Sequence, residues 1–182
     1  INRWLENGFA VVAPDYQGLG GPGPHPYLNW EAEGRSVLDA ARAAMAARPG
    51  QVANAVLVTG QSQGSGAAIG ATRIASTYAP EVGLKATVAT GVISRFPDAA
   101  HKVPPLSVTS PVFSMLLMLG GALPDDGPAD DSLVSDKGRP VLAMGRDGCS
   151  PDMAQVARRD KVDAGNAFAT APEALGTRLG AV

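Results

Sequence analysis

The apolar positions of this chain fall first into short continuous runs and then into stripes with helical spacing. Phe9-Ala10-Val11-Val12-Ala13 is a near-continuous apolar run, which predicts a buried parallel strand. Residues 2–7 before it look like the end of a helix, stopped by Gly8 in the C-cap position. Pro14-Asp15-Tyr16-Gln17-Gly18-Leu19-Gly20 reads as a loop that continues through Pro26. Residues 31–48 predict a helix. Val37, Leu38, Ala41 and Met45 share one face, acids occupy the first turn, arginines come later, and Pro49-Gly50 ends it. A β-branched run follows, Ala55-Val56-Leu57-Val58-Thr59. Next come a small-residue helix from Gln63 to about Tyr78, closed before Pro80, and a third strand over residues 84–92.

The order strand, helix, strand, helix, strand argues for an α/β fold with a parallel sheet and right-handed crossovers. Catalytic groups in such sheets collect at the carboxyl ends of the strands. Asp15, Ser62 and the segment around Gly91 all fall there. After about Ile93 the rhythm is lost. Prolines cluster at Pro97, Pro104, Pro105 and Pro111, an apolar segment spans residues 112–123, and an acidic loop spans 125–131. The apolar segment is either an ordinary core helix or part of a cap with an apolar face for acyl chains. The expected division is a partial α/β core over 1–92 and a second region over 93–182.

Composition narrows the class. A chain of 182 residues can hold a real core, and 45% hydrophobic with 18% charged residues suits a globular protein. The net charge of −2 and the absence of a basic stripe speak against a nucleic-acid partner. No run of about 18 apolar residues occurs, so no transmembrane segment is expected. There is no signal-peptide pattern, but the first residue is Ile1 rather than Met, and the start looks interrupted. The single cysteine, Cys149, follows Arg146-Asp147-Gly148, which reads as exposed loop.

The chemistry centres on Gly60-Gln61-Ser62-Gln63-Gly64, placed between a strand and a helix. Strand, G-x-S-x-G, helix is the pattern of a nucleophile elbow. A serine on a tight, strained turn projects its Oγ from the top of the sheet. Side chains at Gly60 or Gly64 are expected to clash with the neighbouring strand or helix. The Gln63 amide then opens the helix and points its N–H at the reacting carbonyl oxygen. The alternative is a Gly-rich turn joining strand to helix in some other α/β protein.

A serine nucleophile needs a base and an orienting acid. Only two histidines exist. His25 precedes the serine and reads as a loop residue near the site. His101 follows it, with only Glu81 and Asp98 as acids between. Asp98 would share a local element with His101, and Glu81 lies at the wrong end of the sheet. Arg139-Pro140-Val141-Leu142-Ala143-Met144-Gly145-Arg146-Asp147 could be a strand delivering Asp147 as the acid, although no histidine follows it. An earlier strand with a second oxyanion donor is also missing. The chain therefore reads as the middle of a longer hydrolase.

Together, residues 9–20, His25-Pro26-Tyr27-Leu28, residues 31–39, the serine elbow and Tyr78-Ala79-Pro80-Glu81 resemble the secretory lipases, the group that includes the yeast lipase A type. The resemblance is good to about Val92 and loose beyond. It implies an α/β-hydrolase sheet with helices on both faces and a mostly helical cap or lid over 93–182. It implies secretion and hydrolysis of triacylglycerols or simpler carboxylic esters, with possible transient contact at a lipid interface. It carries over Ser62 as nucleophile and the Gln63 amide as oxyanion donor, and places the acid and histidine beyond Val182. It pairs a cap cysteine near Cys149 with one upstream of this chain, which counts against Asp147 as the acid. No metal or organic cofactor is required. Two other readings stay open: a non-catalytic binding module that keeps the sheet and elbow, and a serine peptidase of the same fold.

Overall fold

The computed structural model describes residues 1–23, 25–92, 111–120, 131–163 and 165–169. The chain divides into two compact units. The first comprises Ile1–Pro22 and Leu28–Ile93, the second Gly23–Tyr27 and Ser94–Val182.

In the first unit, helix α1 spans Asn2–Glu6 and stops at Gly8, whose φ of 82° suits a residue without a Cβ. Helix α2 spans Trp30–Ala47. Asn29 caps it, its Oδ1 accepting from the Ala32 amide at 3.0 Å. Strand β1 spans Val56–Gln61, helix α3 Gln63–Tyr78 and strand β2 Leu84–Thr90. β1 and β2 pair in parallel, in register from Leu57 opposite Ala86 to Gln61 opposite Thr90. α3 packs against both strands, and α2 packs against α3. Leu38, Ala71, Ala79 and Val82 are the buried centre, with Val37, Ala41, Met45 and Val56 against them, so the helical stripe expected of α2 is its core face.

One expectation changes and another is met in part. Residues 9–13 are not a paired strand: Phe9, Val11 and Val12 are exposed, and the segment shares no hydrogen-bond ladder with a strand among the described residues. They line a groove of about 470 Å³ whose other walls come from α2 and β1, so the run is apolar and extended but unpaired. The parallel α/β architecture is present as a two-stranded sheet. Helices on both of its faces are not seen among the described residues.

The second unit is mostly helical where it is described, with one isolated antiparallel bridge between Val134 and Phe168. Helix α4 spans Pro111–Gly120, α5 Arg139–Asp147 and α6 Ser150–Arg159. Met115 and Leu119 of α4, Val141 and Leu142 of α5, and Met153 of α6 form its core. Of the two roles weighed for the apolar segment, its described part serves as a core helix. Residues 139–147, for which a strand delivering Asp147 was one open reading, form α5. Pro140 lies in the first turn, where an α-helix needs no amide donor and a central strand would. Val141, Leu142 and Gly145 then face the core at helical spacing, and a Cβ at Gly145 would meet Leu119 and Met153 at 2.8 Å. Asp147 thus ends a helix rather than a strand. Cys149 is exposed at the start of α6, as its loop context suggested, and its amide donates to Asp152 Oδ2 at 2.9 Å. No described helix is long and apolar enough to cross a membrane.

Candidate active site

The turn between β1 and α3 carries the strain expected of an elbow. Ser62 has φ 53° and ψ −117°, a conformation that costs a residue with a Cβ about 1–3 kcal/mol. Neighbouring groups hold it there. The Ser62 amide donates to Thr90 O of β2 at 3.0 Å. Its carbonyl accepts from the Ser65 amide at 3.0 Å and from the buried Ser65 hydroxyl at 2.5 Å. The Ser62 side chain is exposed at the carboxyl end of the sheet. Gly91, with φ 60°, passes so near that a Cβ there would sit 3.7 Å from the Ser62 amide.

The two elbow glycines differ. A Cβ at Gly60 would fall inside the Gly64 carbonyl, so the strand can meet the helix only through glycine. At Gly64 an added Cβ would meet only the Tyr16 hydroxyl, at 3.9 Å, which is ordinary contact distance. The expected clash at the second glycine is therefore absent, because the turn opens away from strand and helix there. The remaining small residues of α3 answer to α2. A Cβ at Gly66 would strike the Trp30 indole, one at Gly70 the Trp30 carbonyl, and one at Gly34 the backbone of Gly70 and Ala71. The tight contact of α3 is with a helix as well as with the sheet.

Gln63 is the first residue of α3, in the turn whose N–H groups an α-helix does not itself bond. Its side chain donates from Nε2 to Glu33 Oε1 at 2.7 Å, and the same oxygen accepts from the Leu28 amide at 3.0 Å. Glu33 is fully buried. Burial pushes its carboxyl from the ordinary 4.5 to about 7, against the lowering effect of the Gln63 and Leu28 hydrogen bonds. Burial, and secondly the Glu33 charge, push the Tyr16 phenol up as well. The sequence reading missed Glu33. The signal was its position four residues before Val37, which puts a carboxyl on the apolar stripe of α2.

The other candidates are placed as follows. Glu81 is exposed in the α3–β2 connection and paired with Arg42 Nε, which holds its carboxyl below the usual range, so it is an ion-pair partner. His25 belongs to the second unit and makes an edge-on ring contact with Tyr27 at 6.1 Å. Asp98 and His101 lie outside the described residues. No hydrogen bond to the Ser62 hydroxyl is made among the described residues, and no cluster of metal-ligating side chains occurs among them.

A strained serine between a parallel strand and a helix defines the nucleophile-elbow class of α/β folds. The comparisons with known proteins bear on the family and the fold. The secretory lipase family profile matches residues 1–159, and the chain belongs to that family. Among solved structures, it is similar to a Legionella pneumophila protein described as a candidate hydrolase, with a TM-score of 0.66 and 16% identity, over 96% of this chain and 48% of that one. At that identity the likeness is one of fold. The chain spans about half the length of that structure. No curated protein matches the chain.

Proposed function

We propose that the protein is a secreted serine carboxylic ester hydrolase of the triacylglycerol lipase or esterase kind. The observation that carries the reading is Ser62, held at φ 53° between β1 and α3 with its side chain exposed. Ser62 Oγ attacks the ester carbonyl carbon, and its proton passes to a histidine. The Gln63 amide, as a helix N-terminal donor, receives the developing oxyanion together with a second donor. The histidine returns the proton to the departing alcohol, leaving an acyl-serine, and water then releases the carboxylic acid. The family resemblance puts the histidine and its acid beyond Val182, and makes the second unit a cap.

Ser62→Ala in the full-length protein should abolish turnover of short-chain nitrophenyl esters and labelling by a fluorophosphonate. Turnover near that of the unaltered protein would refute the assignment. Labelling of Ser62 with no turnover of esters or peptides would favour a binding module. Preference for a peptide panel over an ester panel would favour a peptidase.

A further inference from the structure

Three residues described without glycine's freedom have left-handed φ: Leu28 at 64°, Ser62 at 53° and Lys161 at 52°. Leu28 and the residue that follows Ser62 meet at one carboxylate. Glu33 Oε1 accepts from the amide of Leu28 itself and from the side chain of Gln63, the residue bonded to Ser62. Leu28 and Glu33 lie at the start of α2, whereas Gln63 opens α3. One oxygen atom therefore ties the strained turn entering α2 to the strained turn entering α3.

We propose that Glu33 is a positioning residue for the oxyanion donor: it holds the Gln63 side chain and thereby fixes the Gln63 backbone N–H against the reacting carbonyl. The proposal rests on the reading of Ser62 as nucleophile. Glu33 touches no reacting atom and acts through Gln63.

The physical case has three parts. First, Gln63 sits in the first turn of α3, where the helix supplies few of its own hydrogen bonds and the ends fray most easily. A side-chain bond of 2.7 Å to a buried, packed acceptor removes that freedom. Second, the acceptor is itself fixed. α2 is locked against α3 where Gly34, Gly66 and Gly70 leave no room for a Cβ, one residue from Glu33 and under the ring and carbonyl of Trp30. Third, a carboxyl buried this completely is costly, and a methionine or leucine would fill the same space more cheaply. What an apolar residue cannot do is accept from Leu28 and Gln63 at once. Tyr16, from the loop after residues 9–13, is a titratable group that feels the Glu33 charge in this corner. The charged residues flanking Glu33 on α2, Glu31 and Arg35, are exposed and paired with each other at 2.5 Å.

Displacing a donor or reacting group by about 1 Å costs about 100-fold in rate. In the full-length protein, Glu33→Ala and Gln63→Leu should therefore each lower kcat on nitrophenyl butyrate by about 10–100-fold, with KM within about twofold. Glu33→Gln should stay within about threefold of the unaltered enzyme, because its amide oxygen can accept the same two hydrogen bonds. The double variant Glu33→Ala/Gln63→Leu should be no worse than the poorer single one. Rates are taken per folded molecule, and Gln63→Leu removes the same bond from a half-buried position should Glu33→Ala fail to fold.

An unchanged kcat in Gln63→Leu would overturn the proposal. So would losses that multiply in the double variant, or a folded Glu33→Gln as slow as Glu33→Ala. Ser62→Ala, run alongside, separates the two levels. Turnover surviving there refutes the nucleophile reading, whereas turnover abolished there with the Glu33 and Gln63 variants unaffected refutes only the positioning role.

Discussion

Replacing Glu33 with glutamine should change how the stability of this protein depends on pH, and by an amount large enough to measure. The Glu33 carboxyl ionises at about 7 in the fold and near its ordinary 4.5 when the chain unfolds. Below pH 4.5 it is protonated in both states and imposes no penalty. Between 4.5 and about 7 the unfolded chain releases the proton while the folded chain retains it. Stability therefore falls as pH rises, by about 1.4 kcal/mol per pH unit. Above 7 the loss is complete and amounts to about 3 kcal/mol. Glutamine carries no ionising group, keeps the shape, and can accept from Leu28 and Gln63. Urea unfolding of the full-length protein and of Glu33→Gln at pH 4.5, 6 and 8 reads the difference directly. Groups titrating in the opposite sense, such as Glu81 and Asp160 with carboxyls held low by arginines, are common to both proteins and cancel. The variant should gain relative to the parent by about 3 kcal/mol between pH 4.5 and 8. Parallel stability curves across that window would refute the burial argument, and a gain toward acid pH would refute its sign.

The elbow geometry gives further expectations. Gly60→Ala should prevent soluble expression or abolish labelling of Ser62, since its Cβ would occupy the Gly64 carbonyl, whereas Gly64→Ala should fold and label like the parent because its nearest new contact is at 3.9 Å. A labelling rate with a fluorophosphonate probe checks both. Ser62→Gly should be more stable than Ser62→Ala by about 1 kcal/mol in chemical unfolding, because only glycine relaxes at φ 53°. Equal stability of the two would mean that the turn holds no strain.

Much of this arrangement was legible in the residues. The Val37, Leu38, Ala41 and Met45 stripe, the β-branched run before Ser62 and the small-residue helix after it each satisfy a local rule, and local rules survive folding. The misreadings share one cause: each depended on what lies next to a segment. Residues 9–13 have a strand's composition, but a strand exists only beside a partner, and composition does not specify the neighbour. Residues 139–147 have a strand's apolar run as well, which kept a strand open as one reading there, and the proline in the second position was the better guide. At Gly64 the pattern suggested a clash that the open side of the turn does not impose. Glu33 was visible as a carboxyl on an apolar face, but its ties to Leu28 and Gln63 join residues 5 and 30 positions away, which no helical period records.

The packing of α2 on α3 has a bearing on how this protein can change. On the solvent side of the serine turn, Gly64 has room to accept a methyl group, and the groove beside β1 is open. On the hidden side, Gly34, Gly66 and Gly70 meet Trp30 and the facing backbone with no space for a single carbon atom. Variation is therefore permitted on the open side of the turn and forbidden behind it. A library built to alter selectivity should concentrate on the front of the turn, and one that randomises α3 evenly will lose most of its members to helices that can no longer close.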